Sequence, residues 1–532
     1  MSQGLIERTE NRQLHQIRPE QLSSELMRRL PLEFLKRQRA IPILAEKGEP
    51  AVALADPLNV EAYDAIVGIL GRPCRRIVCE ASQIEQAISR CYYLSPGEEE
   101  NYFTPDAPES SAQENAETMG VSSTVQTRAE DLLNIADKAP AIKLVNKILF
   151  HAVHSRASDI HIEPYEQEVK IRFRIDGVLR NILTLPRIQV GPVLSRLKIM
   201  ANLNIAEHRL PQDGQSRVSI GDEVVDIRVS VIPTAGGERV VLRLLDKGRG
   251  ELKLEEIGFG PDLLKTFRNL ITIPHGIILI TGPTGSGKTT TLYGALNELN
   301  CQERNILTVE DPVEYQLPGI GQMQVRPKID LTFANCLRHI LRQDPDIIMI
   351  GEIRDRETAE IAIQASLTGH LVLSTLHTND AASAFTRLID MGIEPYLISS
   401  TVVAVMAQRL VRVICPNCKQ PFDPQDGTVS WSELQKVAKG FVKLHKGAGC
   451  EKCLESGYMG RTGIFELLLV EDNIRDLIVR RQGSHIIKQA AMEKDMATLR
   501  QDGLRRALDG ITTLEEVYRV TQDSVQIAGR EE

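Results

Sequence analysis

One stretch of this 532-residue chain leaves little freedom in how its surroundings fold. Residues 277–281 are a short apolar run. Gly282-Pro283-Thr284-Gly285-Ser286-Gly287-Lys288-Thr289 follows, and a helix-compatible run continues from Thr290. Strand, glycine loop and helix in that order make the Walker A pattern. The glycines let successive backbone N–H groups turn inward around phosphates, and the helix N-terminus adds its partial positive charge. Lys288 is expected to reach the β- and γ-phosphates and the Thr289 hydroxyl to ligate Mg²⁺, so ATP with Mg²⁺ is the expected cofactor. From 261 to about 410 strand and helix patterns alternate, as in a P-loop, RecA-like doubly wound parallel sheet of the α/β class.

Further acids and histidines fall at strand ends within that region. Residues 347–350 are an apolar strand followed by Gly351-Glu352. Such a strand usually ends in an Asp that helps hold Mg²⁺. Here glycine stands in that place, and Glu352 is the candidate for polarising the attacking water. Its alternative is an ion pair with Arg354. Thr308-Val309-Glu310-Asp311-Pro312-Val313-Glu314-Tyr315 brings three more carboxylates to the edge where open α/β sheets bind ligands. Glu310 and Glu314 act there on water or metal, or form a structural cluster. His370 and His377 bracket one more short strand; His377, at its C-terminal end, is placed to sense the γ-phosphate.

The chain is long enough for several domains. Residues 1–94 read as a small α/β unit, with strand pattern near 50–57 and helical spacing at 60–70 and 82–92. Arg28, Arg29, Lys36, Arg37 and Arg39 make a basic cluster there, a solvated face or a docking patch. Residues 95–128 carry no Lys or Arg before Arg128 and are rich in Glu, Ser, Ala and Pro, the composition of an acidic flexible linker. Residues 129–246 read as a mixed α/β domain: a helix at 142–157, then alternating strands, two of them joined by an Asp176-Gly177 turn. Its arginines, Arg172, Arg174, Arg209, Arg217, Arg228, Arg239 and Arg243, could serve phosphoryl transfer or line solvent. A glycine-bearing joint spans 247–260, and a helical region closes the chain from 466 to 532.

Composition narrows the partners. The formal net charge is −8 and aromatics are only 4%, which argues against a nucleic-acid binder. No apolar run approaches the roughly 18–20 residues of a membrane span, and residues 1–10 lack a signal peptide's apolar core. A cytoplasmic protein with at most peripheral membrane contact is expected. Nine cysteines in such a chain are not a disulfide scaffold. Four are patterned: Cys415-Pro-Asn-Cys418 and Cys450-Glu-Lys-Cys453 are two knuckles suited to a structural zinc, with redox dithiols as the alternative. The gap between them implies an insertion within a module spanning 411–465, made locally basic by Lys419, Lys436, Lys439, Lys443, Lys446 and Lys452.

Together these motifs resemble the secretion ATPase superfamily of bacterial type II secretion and type IV pili, over nearly the whole chain. Residues 308–315 resemble its aspartate box, 342–354 (RQDPDIIMIGEIR) its atypical Walker B, and 368–380 (TGHLVLSTLHTND) its histidine box. Ser158-Asp-Ile-His-Ile-Glu-Pro164 and Pro211-Gln-Asp-Gly214 resemble signatures of its second, PAS-like domain. Arg356-Glu-Thr-Ala359, Met391-Gly-Ile-Glu-Pro-Tyr396 and Ala407-Gln-Arg-Leu-Val411 are most similar to the type II secretion branch. The resemblance implies a homohexameric motor ATPase attached peripherally to the inner membrane. Its N-terminal domain would dock the inner-membrane assembly protein L, with the platform protein F a further partner. It also implies that Glu352 is the catalytic acid and that Arg174, Arg228 and Arg243 lie near the nucleotide. A pilus-extension ATPase is the near alternative and a zinc-containing nucleic-acid translocase the distant one.

Overall fold

The computed structural model describes residues 17–91 with short breaks, 130–131, 140–220, 223–246, 253–422, 434 and 443–521. The expected linker, the first half of the joint, Lys436, Lys439, the side chains of Arg28, Arg29 and Lys36, and the tail beyond 521 lie outside these residues. The chain divides into two units, Met1–Thr124 and Val125–Glu532.

In the first unit, β1 (Ala40–Leu44) pairs antiparallel with β2 (Pro50–Leu54), and β2 pairs parallel with β3 (Arg75–Val78). The parallel step needs a crossover, supplied by the helix Val60–Leu70. Asn59 caps that helix through the Ala62 N–H, and Gly71 ends it in the left-handed conformation. Leu35, Ile41, Ile43, Val52, Leu54, Ile66, Ile84 and Ile88 fill the core. Cys74, Cys79 and Cys91 are buried among them.

The second unit begins with a seven-stranded sheet. Its strands are β4 (Glu130–Asp131), β5 (Ala157–Pro164), β6 (Glu168–Ile175), β7 (Val178–Pro186), β8 (Gln212–Ile220), β9 (Glu223–Thr234) and β10 (Gly237–Asp246), in the order β4-β8-β9-β10-β5-β6-β7. Period-two alternation puts Ile160, Ile162, Val169, Ile171, Phe173, Val225, Ile227, Val229, Val240 and Leu242 on a buried face. Val145, Ile148 and Leu149 of the helix Pro140–His154 and Leu197 of the helix Val190–Met200 meet Ile160, Ile162 and Leu242 there. The opposite face carries the arginines. The first helix ends at His154 because β5 starts at Ala157, three residues before the pattern suggested.

The second sheet of this unit has the order β13-β12-β14-β15-β11-β16-β19. Its strands are β11 (Gly276–Thr281), β12 (Ile306–Glu310), β13 (Gly321–Gln324), β14 (Ile347–Ile350), β15 (Leu371–Leu376), β16 (Val402–Ile414) and β19 (Tyr458–Leu469). The first six run parallel and β19 antiparallel. Helices cover both faces, as the doubly wound reading required. The three central strands, β14, β15 and β11, are buried on both sides, which is why they read as continuous apolar runs.

Two stretches differ from the sequence reading. In residues 254–260, Leu254, Ile257 and Phe259 pack into the core, while Glu255 and Glu256 are exposed. Leu254 and Ile257 are buried, and Phe259 stacks on Phe267 and Phe465 with centroids 5.3 and 4.1 Å apart. Burying such side chains contributes roughly 1.5–3 kcal/mol each, enough to fix the segment. Gly258 (φ +109°) lies so close to β19 that a Cβ would stand 2.1 Å from the Thr462 hydroxyl. The tetracysteine segment is likewise an insertion between two strands of the main sheet. β16 delivers Cys415, and β19 carries the chain back from Tyr458 to Leu469, past the expected module boundary. Between them only β17 (Lys419–Phe422) and β18 (Leu444–Gly447) pair, among the described residues.

Candidate functional site

The loop between β11 and the helix Lys288–Leu299 stands at the C-terminal edge of the parallel strands. Pro283, Thr284, Gly285 and Thr289 are exposed, Thr290 is half-buried, and Ser286 and Lys288 are buried. Gly287 has φ +86°, left-handed backbone that favours glycine. The Lys288 ammonium is folded into the loop, donating to the Gly282 and Pro283 carbonyls at 2.7 and 3.2 Å. Burial, and after it the Arg409 guanidinium, push its pKa down to about 8 against the pull of Glu352. A desolvated cation between these neighbours gains most from a polyanion laid across it.

Glu352 follows β14. One carboxylate oxygen pairs with Arg354, and the other lies 3.3 Å from His377 Nε2. Its side chain is 15% exposed, so water reaches it. The glycine before it has a steric reason: a Cβ at 351 would press on the Val309 carbonyl at 3.3 Å and on Glu310 Cα at 3.4 Å. The Arg354 pair leaves Glu352 within reach of water. His377 follows β15 at the same edge. His370 sits at the far end of that strand, bonded to the Ala365 carbonyl, as the strand direction required.

Glu310 and Glu314 part company. Glu310 is buried; it accepts from Thr308 Oγ1 at 2.5 Å, from Gln322 Nε2 at 3.0 Å and from the Tyr293 phenol. Burial beside this carboxylate holds the phenol protonated, its pKa far above the usual value. With both oxygens engaged, Glu310 braces the loop helix against β12, the structural-cluster alternative. Glu314 instead meets Arg228 of the preceding domain at 3.3 Å, and Arg228 also donates to the Val313 carbonyl at 3.4 Å.

Four of the other arginines are held by two buried acids, while Arg209 pairs with Glu207 and Arg217 with Asp226. Asp159 takes Arg243 at 2.9 Å and Arg174 at 3.6 Å; Glu163 takes Arg172 and Arg239, both at 2.6 Å. The guanidiniums above them are a third to more than half exposed, so this basic face is rigidly underpinned and still accessible.

Sequence reasoning missed Gln408 and Arg409. Arg409 Nη2 donates to the Asn379 carbonyl at 2.7 Å, in the loop after His377. Gln408 Oε1 accepts from Thr291 on the loop helix at 2.8 Å. The available signal was a polar pair interrupting the apolar run of β16.

The four patterned cysteines converge. Their Sγ atoms all lie within 4.8 Å of one another, with the closest separations 3.6 and 3.9 Å. Four thiolates at a Zn–S distance near 2.3 Å around a tetrahedral centre stand about 3.8 Å apart, so the donor set fits that ion. Backbone N–H groups of Cys450 and Gly457 point at Cys453 Sγ, as a thiolate requires. Gly447 allows the close crossing beside it: a Cβ there would stand 2.0 Å from the Gly457 carbonyl oxygen.

With this geometry, residues 134–519 match the family described as type II/IV secretion system protein. The chain belongs to that family. A MshEN domain matches residues 13–98. Among secretion relatives, the type II secretion system protein E of Pseudomonas aeruginosa is 47% identical over 502 residues, covering 93% of this chain and 97% of that protein. The type II secretion system ATPase E of Vibrio cholerae is 47% identical over 503 residues, covering 94% and 97%. The type II secretion system protein E of Dickeya dadantii is 55% identical over 395 residues, covering 74% and 78%. The X-ray structure of the Legionella pneumophila ATPase DotB shares the fold at TM-score 0.53 and 21% identity, covering 74% of this chain and 98% of that one. This secretion-family chain is an ATPase, and the family's chemistry uses nucleotide with Mg²⁺. Among the described residues no helix is long and apolar enough to cross a membrane.

Proposed function

We propose that this chain is the cytoplasmic motor of a type II secretion system. A ring of six copies hydrolyses ATP to drive pseudopilus assembly and the export of folded proteins across the outer membrane. The observation that carries the reading is the Glu352 carboxylate, set between Arg354 and His377 at the sheet edge and acting electrostatically on Lys288.

In this reading Gly282 to Thr290 cradle the phosphates, Lys288 neutralises them, and Thr289 ligates Mg²⁺. Glu352 polarises the attacking water and His377 senses the γ-phosphate. Arg174, Arg228 and Arg243 reach a nucleotide when the preceding domain closes on it, in the same subunit or a neighbour. Cys415, Cys418, Cys450 and Cys453 hold a structural zinc. The N-terminal domain, residues 1–94, docks the cytoplasmic part of the assembly protein L, and the platform protein F receives the stroke. The domain limits 129–246, 261–410, 411–465 and 466–532 serve as working divisions of the motor.

The test is an ATPase assay of the full chain, alone and with the L cytoplasmic domain and acidic vesicles. Stimulation by L, abolished in Lys288→Ala, is expected. Stimulation by a pilus platform protein instead would move the chain to pilus assembly. Turnover that survives Lys288→Ala would overturn the assignment of the loop.

A further inference from the structure

Beneath the phosphate loop lies a polar side chain that the chemistry above does not use. Gln408 sits on β16 one residue past the last pair with β11, Thr281 with Ala407. It is fully buried, in a strand whose preceding residues Ala404 to Ala407 are all buried and apolar. Its Oε1 accepts the Thr291 hydroxyl, while its Nε2 has no hydrogen-bond partner among the described residues. A buried donor left this way destabilises the fold and calls for an explanation.

What covers that nitrogen is the loop itself. A Cβ at Gly287 would stand 2.9 Å from Nε2, and one at Gly282 would stand 2.5 Å from the Gln408 carbonyl oxygen and 2.6 Å from Ser286 Oγ. Ser286 Oγ is also buried without a partner. A donor on the floor and a hydroxyl in the loop, both unsatisfied, therefore flank Gly282 and Gly287. Arg409, next along the strand, ties β16 to the loop after His377, and the strand runs unbroken to Ile414, one residue before the first zinc-type knuckle.

We propose that Gln408 is a positioning residue for nucleotide binding, its free carboxamide N–H donating to the Ser286 hydroxyl as the loop closes on a triphosphate. This rests on reading 282–289 as the ATP phosphate loop.

The experiment measures the affinity of a fluorescent ATP analogue, steady-state kinetics and the thermal midpoint for the full-length wild type, Gln408→Met and Thr291→Val. Gln408→Met keeps length and removes the donor. Its Kd and KM should rise about tenfold, the worth of one hydrogen bond, with kcat within about threefold and the midpoint nearly unchanged. Thr291→Val frees the carboxamide from its other partner, so affinity should hold or tighten. A Kd within twofold of wild type in Gln408→Met, or equal weakening in both variants, overturns the proposal. If Gln408→Met does not fold, Thr291→Val decides: tenfold weaker binding overturns the proposal, and unchanged or tighter binding upholds it. Failure of the wild type itself to bind the analogue would instead sink the phosphate-loop reading.

Discussion

Glu310 and Glu352 end neighbouring parallel strands, yet their surroundings give them opposite chemistry. Glu310 is surrounded by three donors and shut from water, whereas Glu352 is open on one side and paired on the other with cationic or titratable partners. Glu352→Gln should therefore bind ATP normally and lose at least about a hundredfold in turnover, the scale of a positioned general base. Glu310→Ala should leave the buried Thr308 and Tyr293 hydroxyls without this acceptor and lower stability by about 1–3 kcal/mol, with a smaller effect on turnover. Single-turnover hydrolysis beside a denaturant titration separates the two. Full hydrolysis in Glu352→Gln would remove its role. That both acids reach this edge was legible, because strand-then-acid patterns are local. Which of them turns inward was not, since the answer depends on Tyr293 and Gln322, brought in from a helix and from another strand.

Among the elements, the two Cys-x-x-Cys knuckles announced themselves by spacing, but β19 did not. Residues 458–469 carry mixed polarity and find their partner, β16, across an insertion of more than forty residues, so only the folded pairing reveals a strand. The tetracysteine hairpin thus hangs from the ATPase sheet itself. Changing all four cysteines to Ser should abolish bound zinc by atomic absorption and lower the thermal midpoint, because metal binding to such a set contributes folding energy. Zinc retained at one per chain would rule out the assignment. The helix Leu514–Thr521 closes over the root of the same hairpin through Glu516, which bonds Arg412 at 2.9 Å and Arg519 at 2.6 Å. Burial alone would raise this carboxyl's pKa, but the two guanidiniums override it and hold it at about 2. A group depressed from 4.5 stabilises the fold fully above about pH 4.5, and that contribution, roughly 3 kcal/mol at most, disappears as the pH falls toward 2. Glu516→Gln should flatten the acid limb of the stability curve over that window. An unchanged limb would show the pair to be idle.

At the scale of the molecule, the arginine-bearing sheet and the ATPase sheet meet at the charge contact between Arg228 and Glu314, and the β6–β7 hairpin reaches the cysteine hairpin through Asp176 and Arg180. A joint between the sheets was expected from glycines at 248, 250, 258 and 260. That Phe259 packs into the core was not readable, because its stacking on Phe465 joins residues more than two hundred positions apart. The Arg228–Glu314 pair is only partly shielded, 25% and 38% exposed. A pair of that kind is worth about 0–1 kcal/mol, little enough for a polyphosphate to take the arginine away. If Arg228 serves the nucleotide in the closed motor, Glu314 competes for it in the arrangement described here. Glu314→Gln should then raise basal turnover modestly, about twofold to fivefold, while Arg228→Ala lowers it at least tenfold. The double variant should match Arg228→Ala alone, since without the arginine the glutamate has nothing to hold. If instead Glu314→Gln lowers turnover and the two effects add, Glu314 acts on water or metal in its own right. Steady-state ATPase rates for the four chains of this cycle, at one ionic strength, distinguish a brake from a catalyst.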